Sequence, residues 1–308
     1  MDSYLPMSPK AGARLLLPYL FLALVTSQTA AQNTTTTTTT PTTCAEGVHV
    51  ITARGSNEPL GAGRLGPVAS DLIAAIPNST VQALNYPATF FDYATSVAAG
   101  ILELRDALES YSRTCPQGKV VMMGYSQGAQ VILDTLCGAQ PYDRPVVQFN
   151  ESAPLNSTIV EHNVLAVILY GDPTHAAEAP WNYGNSTTNG LFPRDNITAC
   201  ASYAPKIRSW CDEGDFFCAL GDDGEIHGSY FDAYGDDAVE FALQLWEEAE
   251  ETGGDTGSED GSGSGSGSGS GEDGADNDRD DSAADHLGTN WRIPFVLGVA
   301  AICSCFAL

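Results

Sequence analysis

The sequence predicts one three-layer α/β domain, a small parallel sheet flanked by helices. Three apolar runs, Val48–Ala53, Val120–Met123 and Asn163–Tyr170, have the continuous hydrophobic character of strands buried on both faces. Between them lie stretches with apolar residues at helical spacing, as at Val97, Ile101, Leu104 and Leu108 within Tyr93–Ser112. Strand and helix therefore alternate, and such alternation implies a parallel sheet with helical crossovers on both faces.

The first strand, Val48–Ala53, ends in Arg54-Gly55-Ser56-Asn57-Glu58. A helix over Pro67–Ile76 and a short strand over Thr80–Leu84 follow, and the Tyr93–Ser112 helix closes before Pro116. Val120–Met123 runs into a tight turn at Gly124–Gly128, and Ala129–Leu136 reads as the next helix. Asn163–Tyr170 ends in Gly171-Asp172-Pro173. Residues 174–205 are rich in Gly, Asn and Pro and predict a surface loop. Lys206–Trp210 is the last strand, Cys211–Cys218 a short cysteine-bounded loop, and Asp236–Glu251 a closing helix with Ala238, Phe241, Ala242 and Leu245 on one face. The folded domain spans residues 44–251, enough to bury a substantial core.

The ends of the 308-residue chain read differently. Residues 1–31 have the form of a secretory signal peptide: Lys10 and Arg14, an apolar core at Leu15–Val25, then Ala30-Ala31. Residues 32–43 are almost pure Thr, an O-glycosylated lead-in. Residues 252–282 are Gly, Ser and acid, a flexible tether. Small residues at Ser282–Ala284, a polar spacer at Asp285–Arg292 and the apolar Ile293–Leu308 make a glycosylphosphatidylinositol-anchor signal, removed as residues 283–308 with attachment at Ser282. The mature chain is then expected to hang from the outer membrane leaflet. Of the net charge of −26, half falls between Glu247 and Asp285, where 14 acids face one base. That charge solvates the stalk and makes nucleic acid a poor partner. A monomer is expected.

Without Cys303 and Cys305, six cysteines remain, an even number that suits three disulfides in an oxidising compartment. No C-x2-C pair exists and few histidines are suitably placed, so no metal is expected; nor is a cofactor. Sequons at Asn33, Asn78, Asn150, Asn156, Asn185 and Asn196 agree with passage through a glycosylating pathway.

Chemistry centres on Gly124-Tyr125-Ser126-Gln127-Gly128, a G-x-S-x-G between strand and helix. This is the sequence form of a nucleophile elbow, in which Ser126 takes a strained backbone conformation and the flanking glycines let strand and helix cross. Ser126 would sit at a helix N-terminus, where free amides, that of Gln127 first, favour a developing oxyanion. A serine nucleophile needs a base and an acid to orient it, in the chain order Ser, Asp or Glu, His. His49 lies within a strand, His162 opens another, and His286 belongs to the tail. His227, in the loop 222–229 before the closing helix, is the expected base; His175 is a candidate substrate contact at a strand's C-terminal edge. Two acids compete on equal terms: Asp172, directly after a strand, and Asp215, inside the cysteine-bounded loop.

GYSQG at 124–128, ARGSNE at 53–58, the cysteine-bounded loop at 211–218 and His227 leading into Tyr230 and Tyr234-Gly235 together resemble the cutinase and acetylxylan esterase family. The resemblance covers roughly Cys44–Glu248 and implies a cutinase-like α/β-hydrolase fold. It implies that Asp215 is the acid and that Ser56 joins Gln127 in the oxyanion hole. It also implies the disulfides Cys44–Cys115, Cys137–Cys200 and Cys211–Cys218. The stretches 171–184, 209–215 and 227–235 look more like the acetylxylan esterase branch, whose members deacetylate xylan; cutinases cleave lipid polyesters. Two departures stand out: Gly184-Asn185-Ser186 where that branch commonly carries another cysteine, and Ala219 in place of a second cysteine after Cys218. Trp181 and Tyr183 either stack on a sugar or pack the long loop. A surface glycoprotein that keeps the fold as scaffold is the alternative of a different class.

Overall fold

The computed structural model describes residues 43–143 and 147–253. The stretches expected to be a signal peptide and an anchor signal, and all but residues 43, 252 and 253 of the expected lead-in and tether, with Asn33 and Ser282, lie outside the described residues. In chain order the elements are β1 (Val48–Ala53), a 3-10 turn at Gly63–Leu65, α1 (Gly66–Ala75), β2 (Thr80–Ala83), α2 (Tyr93–Thr114), β3 (Lys119–Tyr125) and α3 (Gln127–Cys137). There follow β4 (Tyr142–Asp143), β5 (Gln148–Phe149), α4 (Ser157–His162), β6 (Val164–Tyr170), β7 (Asn182–Tyr183), a 3-10 segment at Ile197–Lys206, β8 (Ile207–Trp210) and α5 (Gly224–Gly253).

Six strands form one parallel sheet in the order β2-β1-β3-β6-β8-β7, while β4 and β5 make a separate two-stranded antiparallel hairpin. Alternate residues of each central strand point to opposite faces. Ile51, Val120, Met122, Val167 and Leu169 pack with α2 and α3, whereas Val50, Val121, Met123, Ile168 and Tyr170 pack with α1 and α5. Every residue of β1 and β6 is buried, which is why these strands read as unbroken apolar runs. The chain goes from β1 outward to β2 and then crosses to the other side of β1 to lay down β3. The crevice at that reversal, above the C-terminal ends of β1 and β3, is where open α/β sheets place their sites.

The structure corrects several boundaries. Helix α5 starts at Gly224, well before Asp236, so His227 sits in its first turn and not in a loop. Gly228 and Gly235 lower the local helix propensity, but Gly235 lets α5 press against α1, where a Cβ would lie 3.3 Å from Val68. His162 ends the short helix α4, whose N-terminus is capped by Asn156 accepting from the Thr158 amide at 2.9 Å. Residues 174–205 are more than a surface loop. They contain the edge strand β7, most of a 3-10 segment, and buried Trp181, His175 and Arg194.

Three disulfides staple this frame. Cys44–Cys115 ties the domain's first residues to the end of α2, Cys137–Cys200 ties α3 to the 3-10 segment, and Cys211–Cys218 closes the loop after β8. Closing the two long loops removes conformational freedom worth ~4 kcal/mol each from the unfolded chain.

Candidate active site

Ser126 has φ 53° and ψ −120°, a conformation that side-chain-bearing residues avoid, and it begins α3 as its N-cap. Three contacts hold it there. Its amide donates to the Tyr170 carbonyl on β6 at 2.8 Å, and its carbonyl accepts from Ala129 at 2.9 Å and Gln130 at 3.2 Å. Both neighbouring glycines are sterically required. A Cβ at 128 would lie 1.9 Å from the Ala53 carbonyl oxygen, and one at 124 would lie 2.7 Å from the Ala129 Cα.

Gln127 is the first residue of α3, so its amide has no partner within the helix. Its side chain is fully committed elsewhere: Oε1 accepts from the Ser96 hydroxyl at 2.8 Å and Nε2 donates to the Thr89 carbonyl at 3.0 Å. Ser96 in turn accepts from the Thr89 amide at 3.1 Å, closing a ring of bonds that locks α2 and the loop before it to the elbow. Ser56 is half-buried in the turn after β1, and within the described residues neither its amide nor its hydroxyl has a hydrogen-bond partner. Its neighbours are both engaged, Gly55 donating to Glu58 Oε2 at 2.6 Å and Asn57 to the Ala88 carbonyl at 2.6 Å. Beneath them Arg54, buried, donates to the carbonyls of Glu58, Leu84, Tyr86 and Pro87. The turn is thus rigid and leaves one backbone N–H unspent.

Of the two candidate acids, the structure brings Asp215 to His227. Asp215 Oδ2 lies 2.8 Å from His227 Nδ1 and also accepts from the Tyr230 hydroxyl at 2.7 Å. Its other oxygen accepts from the amides of Phe217 at 2.7 Å and Cys218 at 3.1 Å. Burial works to raise the Asp215 pKa, but the hydrogen bond and charge of His227, with Tyr230 and the Cys218 amide, outweigh it and hold the carboxyl below its ordinary range. Asp172 is also buried, but its carboxylate takes only the amide and hydroxyl of Thr174, at 2.8 Å each, and burial pushes its pKa up.

His227 is fixed between the rings of Tyr125 and Phe217, at 5.0 and 4.5 Å between centroids. Gly171, the residue after β6, abuts the imidazole; a Cβ there would sit 2.8 Å from Nδ1. With Nδ1 given to Asp215, Nε2 is buried and makes no hydrogen bond in this structure, so it carries the free lone pair of a base. Ser126, Gln127, Asp215 and His227 gather around the C-terminal ends of β3 and β6, joined by the Ser126–Tyr170 bond and the Gly171–His227 contact.

Other residues fall elsewhere. His175 is buried away from solvent, its Nδ1 3.0 Å from the Thr188 carbonyl, so it lines no open surface. Trp181 is 2% exposed, and its ring packs into the core on the α3 side, which leaves the packing reading and removes sugar stacking. Tyr183 is exposed, with the Arg208 guanidinium 4.5 Å over its ring. Tyr230 was legible only as part of a motif; its place three residues after His227 puts both on one helical face, and that spacing was the available signal. Among the described residues no group of three or more metal-ligating side chains exists and no helix is long and apolar enough to cross a membrane.

A parallel sheet with a serine elbow at its reversal, and a buried Asp–His pair beside it, defines an α/β-hydrolase. The family described as Cutinase matches residues 44–245, and the chain belongs to this family of carboxylic ester hydrolases. Acetylxylan esterase 2 of Talaromyces purpureogenus is 34% identical over 205 residues, 63% of this chain and 84% of that one. Cutinase 11 of Verticillium dahliae is 32% identical over 201 residues, 63% of this chain and 67% of that protein. Among solved structures, the catalytic core domain of acetyl xylan esterase from Trichoderma reesei matches with a TM-score of 0.60 at 34% identity, covering 66% of this chain and 100% of that one.

Proposed function

We propose that the protein is a serine esterase that deacetylates a plant polysaccharide of the xylan type through an acyl-enzyme. The observation that carries this reading is the Asp215–His227 hydrogen bond of 2.8 Å beside a Ser126 strained into an elbow. Ser126 Oγ attacks the ester carbonyl while His227 Nε2 takes its proton. Asp215 keeps the proton of the neutral imidazole on Nδ1 and stabilises the imidazolium that forms. The amides of Gln127 and Ser56 receive the oxyanion, each worth about 2.7–4 kcal/mol of transition-state stabilisation. His227 returns the proton to the leaving alcohol, then activates water to cleave the acyl-serine.

Acetyl as the acyl group is supported by likeness to the acetylxylan esterases, at 34% identity. A polyester substrate is the second reading, and a specific feature favours it. Leu60, Phe90, Phe91 and Leu220 stand exposed on the loops that follow β1, precede α2 and carry Asp215, and exposed apolar side chains on these loops would suit longer acyl chains. Initial rates on acetylated xylan, short p-nitrophenyl esters and a cutin-like polyester decide between them; a preference for long acyl chains overturns the acetyl assignment. Labelling by an organophosphate decides the class: modification at Ser126, abolished in Ser126→Ala, is expected, and an unlabelled protein would be a scaffold.

The protein is further proposed to be secreted, N-glycosylated, monomeric and held at the cell surface by the lipid anchor. Asn78, Asn150, Asn156, Asn185 and Asn196 are all exposed. Asn156 and Asn196 cap their helices through Oδ1, which leaves Nδ2 free to carry a glycan without loss of the cap. Release of the native protein from cells by a phosphatidylinositol-specific phospholipase tests the anchor.

A further inference from the structure

His227 and Asp215 belong to separate pieces of the molecule. His227 stands on α5, which packs against α1, whereas Asp215 stands on the loop between β8 and α5. The disulfide Cys211–Cys218 ties that loop to the residue after β8, and the Asp223 amide donates to the Gly214 carbonyl at 3.0 Å, which leaves the backbone of 215–221 to be held from its sides. From the α5 side, Tyr230 holds Asp215 and Tyr234 holds Asp212, with hydroxyl-to-carboxylate distances of 2.7 and 2.9 Å.

On the other side runs the segment 185–191, laid along the acid loop. The Asn185 amide donates to Asp212 Oδ1 at 3.0 Å, and Asn185 Oδ1 accepts from the Glu213 amide at 2.6 Å. Ser186 donates its amide to the Cys211 carbonyl at 3.0 Å, and Leu191 donates to Phe217 at 2.9 Å. Between these, the Thr188 hydroxyl donates to the Ala219 carbonyl at 2.6 Å, and the amides of Ala219 and Gly221 both return to the Asp215 carbonyl, at 3.1 and 2.9 Å. The segment closes against the acid loop without a disulfide, since neither Ser186 nor Ala219 supplies a thiol.

The segment is held to the turn after β6 by the Ala177 amide donating to Asn189 Oδ1 at 2.8 Å and, nearer the acid loop, by His175. Its ring lies beneath, 3% exposed, with Nδ1 3.0 Å from the Thr188 carbonyl, and its own carbonyl accepts from Gly190 at 2.9 Å. A carbonyl only accepts, so Nδ1 carries the proton and the ring is the neutral Nδ1–H tautomer. Burial, which depresses the pKa of His175, keeps it neutral. Its Nε2 is buried and has no hydrogen-bond partner.

We infer that His175 and Thr188 are positioning residues for the esterase reaction: together they strap the acid loop to the end of β6, and this strap sets the Asp215–His227 distance. The inference rests on the proposed serine-esterase mechanism. His175 touches no reacting atom and acts through Thr188, Ala219 and the backbone of the acid loop at Asp215 and Cys218.

The test uses the whole domain with its disulfides intact and three variants, with a short p-nitrophenyl ester as probe. Thr188→Val removes the hydroxyl at an exposed position, where the fold tolerates the change. His175→Leu removes the Nδ1 donor, and His175→Asn restores a donor at the same reach through Nδ2. Thr188→Val and His175→Leu should each lower kcat on the order of tenfold at unchanged KM, as expected for a displaced catalytic group. His175→Asn should stay within about threefold of the parent. The acid limb of the kcat/KM profile should move to lower pH in the two impaired variants, because a retreating carboxylate stabilises the imidazolium less. The downfield proton resonance of the His227 Nδ1–H should move upfield in the same two, a readout that needs no turnover.

Thr188→Val with parental kcat and an unmoved resonance overturns the strap. So does a His175→Asn as impaired as His175→Leu with the limb unmoved, the mark of a packing role. If His175→Leu does not fold, Thr188→Val alone decides. A parent without ester hydrolysis sinks the functional reading instead, and the Nδ1–H resonance still judges the strap.

Discussion

Asp172 and Asp215, both buried after strands of the sheet, offer the sharpest test of the site, because the same isosteric change should disable one and spare the other. In Asp215→Asn the amide keeps one oxygen, and the Phe217 and Cys218 amides, at 2.7 and 3.1 Å, claim it. The Nδ2 group then faces the Tyr230 hydroxyl and His227 Nδ1, donors both, at 2.7 and 2.8 Å. Two donors cannot share a bond, so His227 must move its proton to Nε2 and present an N–H to Ser126 where a lone pair is needed. Loss of the tautomer and of imidazolium stabilisation should cost kcat on the order of 10⁴-fold, about 5 kcal/mol. Asp172→Asn keeps an acceptor for the Thr174 amide and hydroxyl and touches nothing that leads to His227, so kcat should stay within about threefold. The assay is steady-state hydrolysis of a p-nitrophenyl acetate-type ester, with Ser126 titrated by organophosphate to count active sites. An Asp215→Asn enzyme within tenfold of the parent, or an Asp172→Asn enzyme down by 10³, would refute the assignment.

Three further outcomes follow from the same geometry. Gly128→Ala should fail to yield folded protein, since its Cβ would lie 1.9 Å from the Ala53 carbonyl oxygen and both partners are backbone; circular dichroism and yield of the purified variant read this, and a soluble, active variant contradicts the elbow packing. Ser96→Ala should lower kcat/KM on the order of tenfold by freeing the Gln127 side chain, while Tm falls by only a few degrees; an unchanged rate would show that the Gln127 amide needs no such brace. The pH dependence of stability should separate the aspartates. Asp215, held low, contributes stability that is full above the unfolded value near pH 4 and is lost as pH falls through its native value. Asp172, raised by burial, works in the opposite sense: its contribution is full below about pH 4 and is lost as pH rises through its native value. The Tm of Asp172→Asn minus that of the parent should therefore grow from pH 4 to 7, and a constant difference would contradict the burial argument.

How much of this was legible in the sequence depends on the range of the interactions. The central strands, the elbow and the helix after it are local patterns, and their boundaries in the sequence and structure differ by a residue or two. The start of α5 was not legible, because Gly228 and Gly235 argue locally against a helix. Packing against Val68, the Arg64 bond to the Gly228 carbonyl at 3.0 Å and the Asp223 side chain accepting from Glu225 at 2.8 Å override them. The choice between Asp172 and Asp215 was also out of local reach. Both follow a strand of the same sheet, and only the fold shows that the cysteine-closed loop turns its carboxylate toward α5 while Asp172 folds back on Thr174. Segment 174–205 looked like a loop because its buried residues, Trp181, His175 and Arg194, are spaced irregularly and bury against different partners, which leaves no period to read.

The site's parts are held from several directions. Ser126 is fixed by β6 through Tyr170, Gln127 by α2 through Ser96, the turn of Ser56 by Arg54 and Glu58, and His227 by the α5–α1 packing and its two flanking rings. Asp215 differs in riding on a loop, so its place depends both on what grips that loop and on its own bonds to His227 and Tyr230. A buried carboxylate with four donors is costly to misplace, for a shift that breaks the His227 bond leaves a desolvated charge with fewer partners. That penalty, together with the grip from Tyr230 on one side and the 185–191 segment on the other, is what makes a loop residue as well placed as those on the sheet edge.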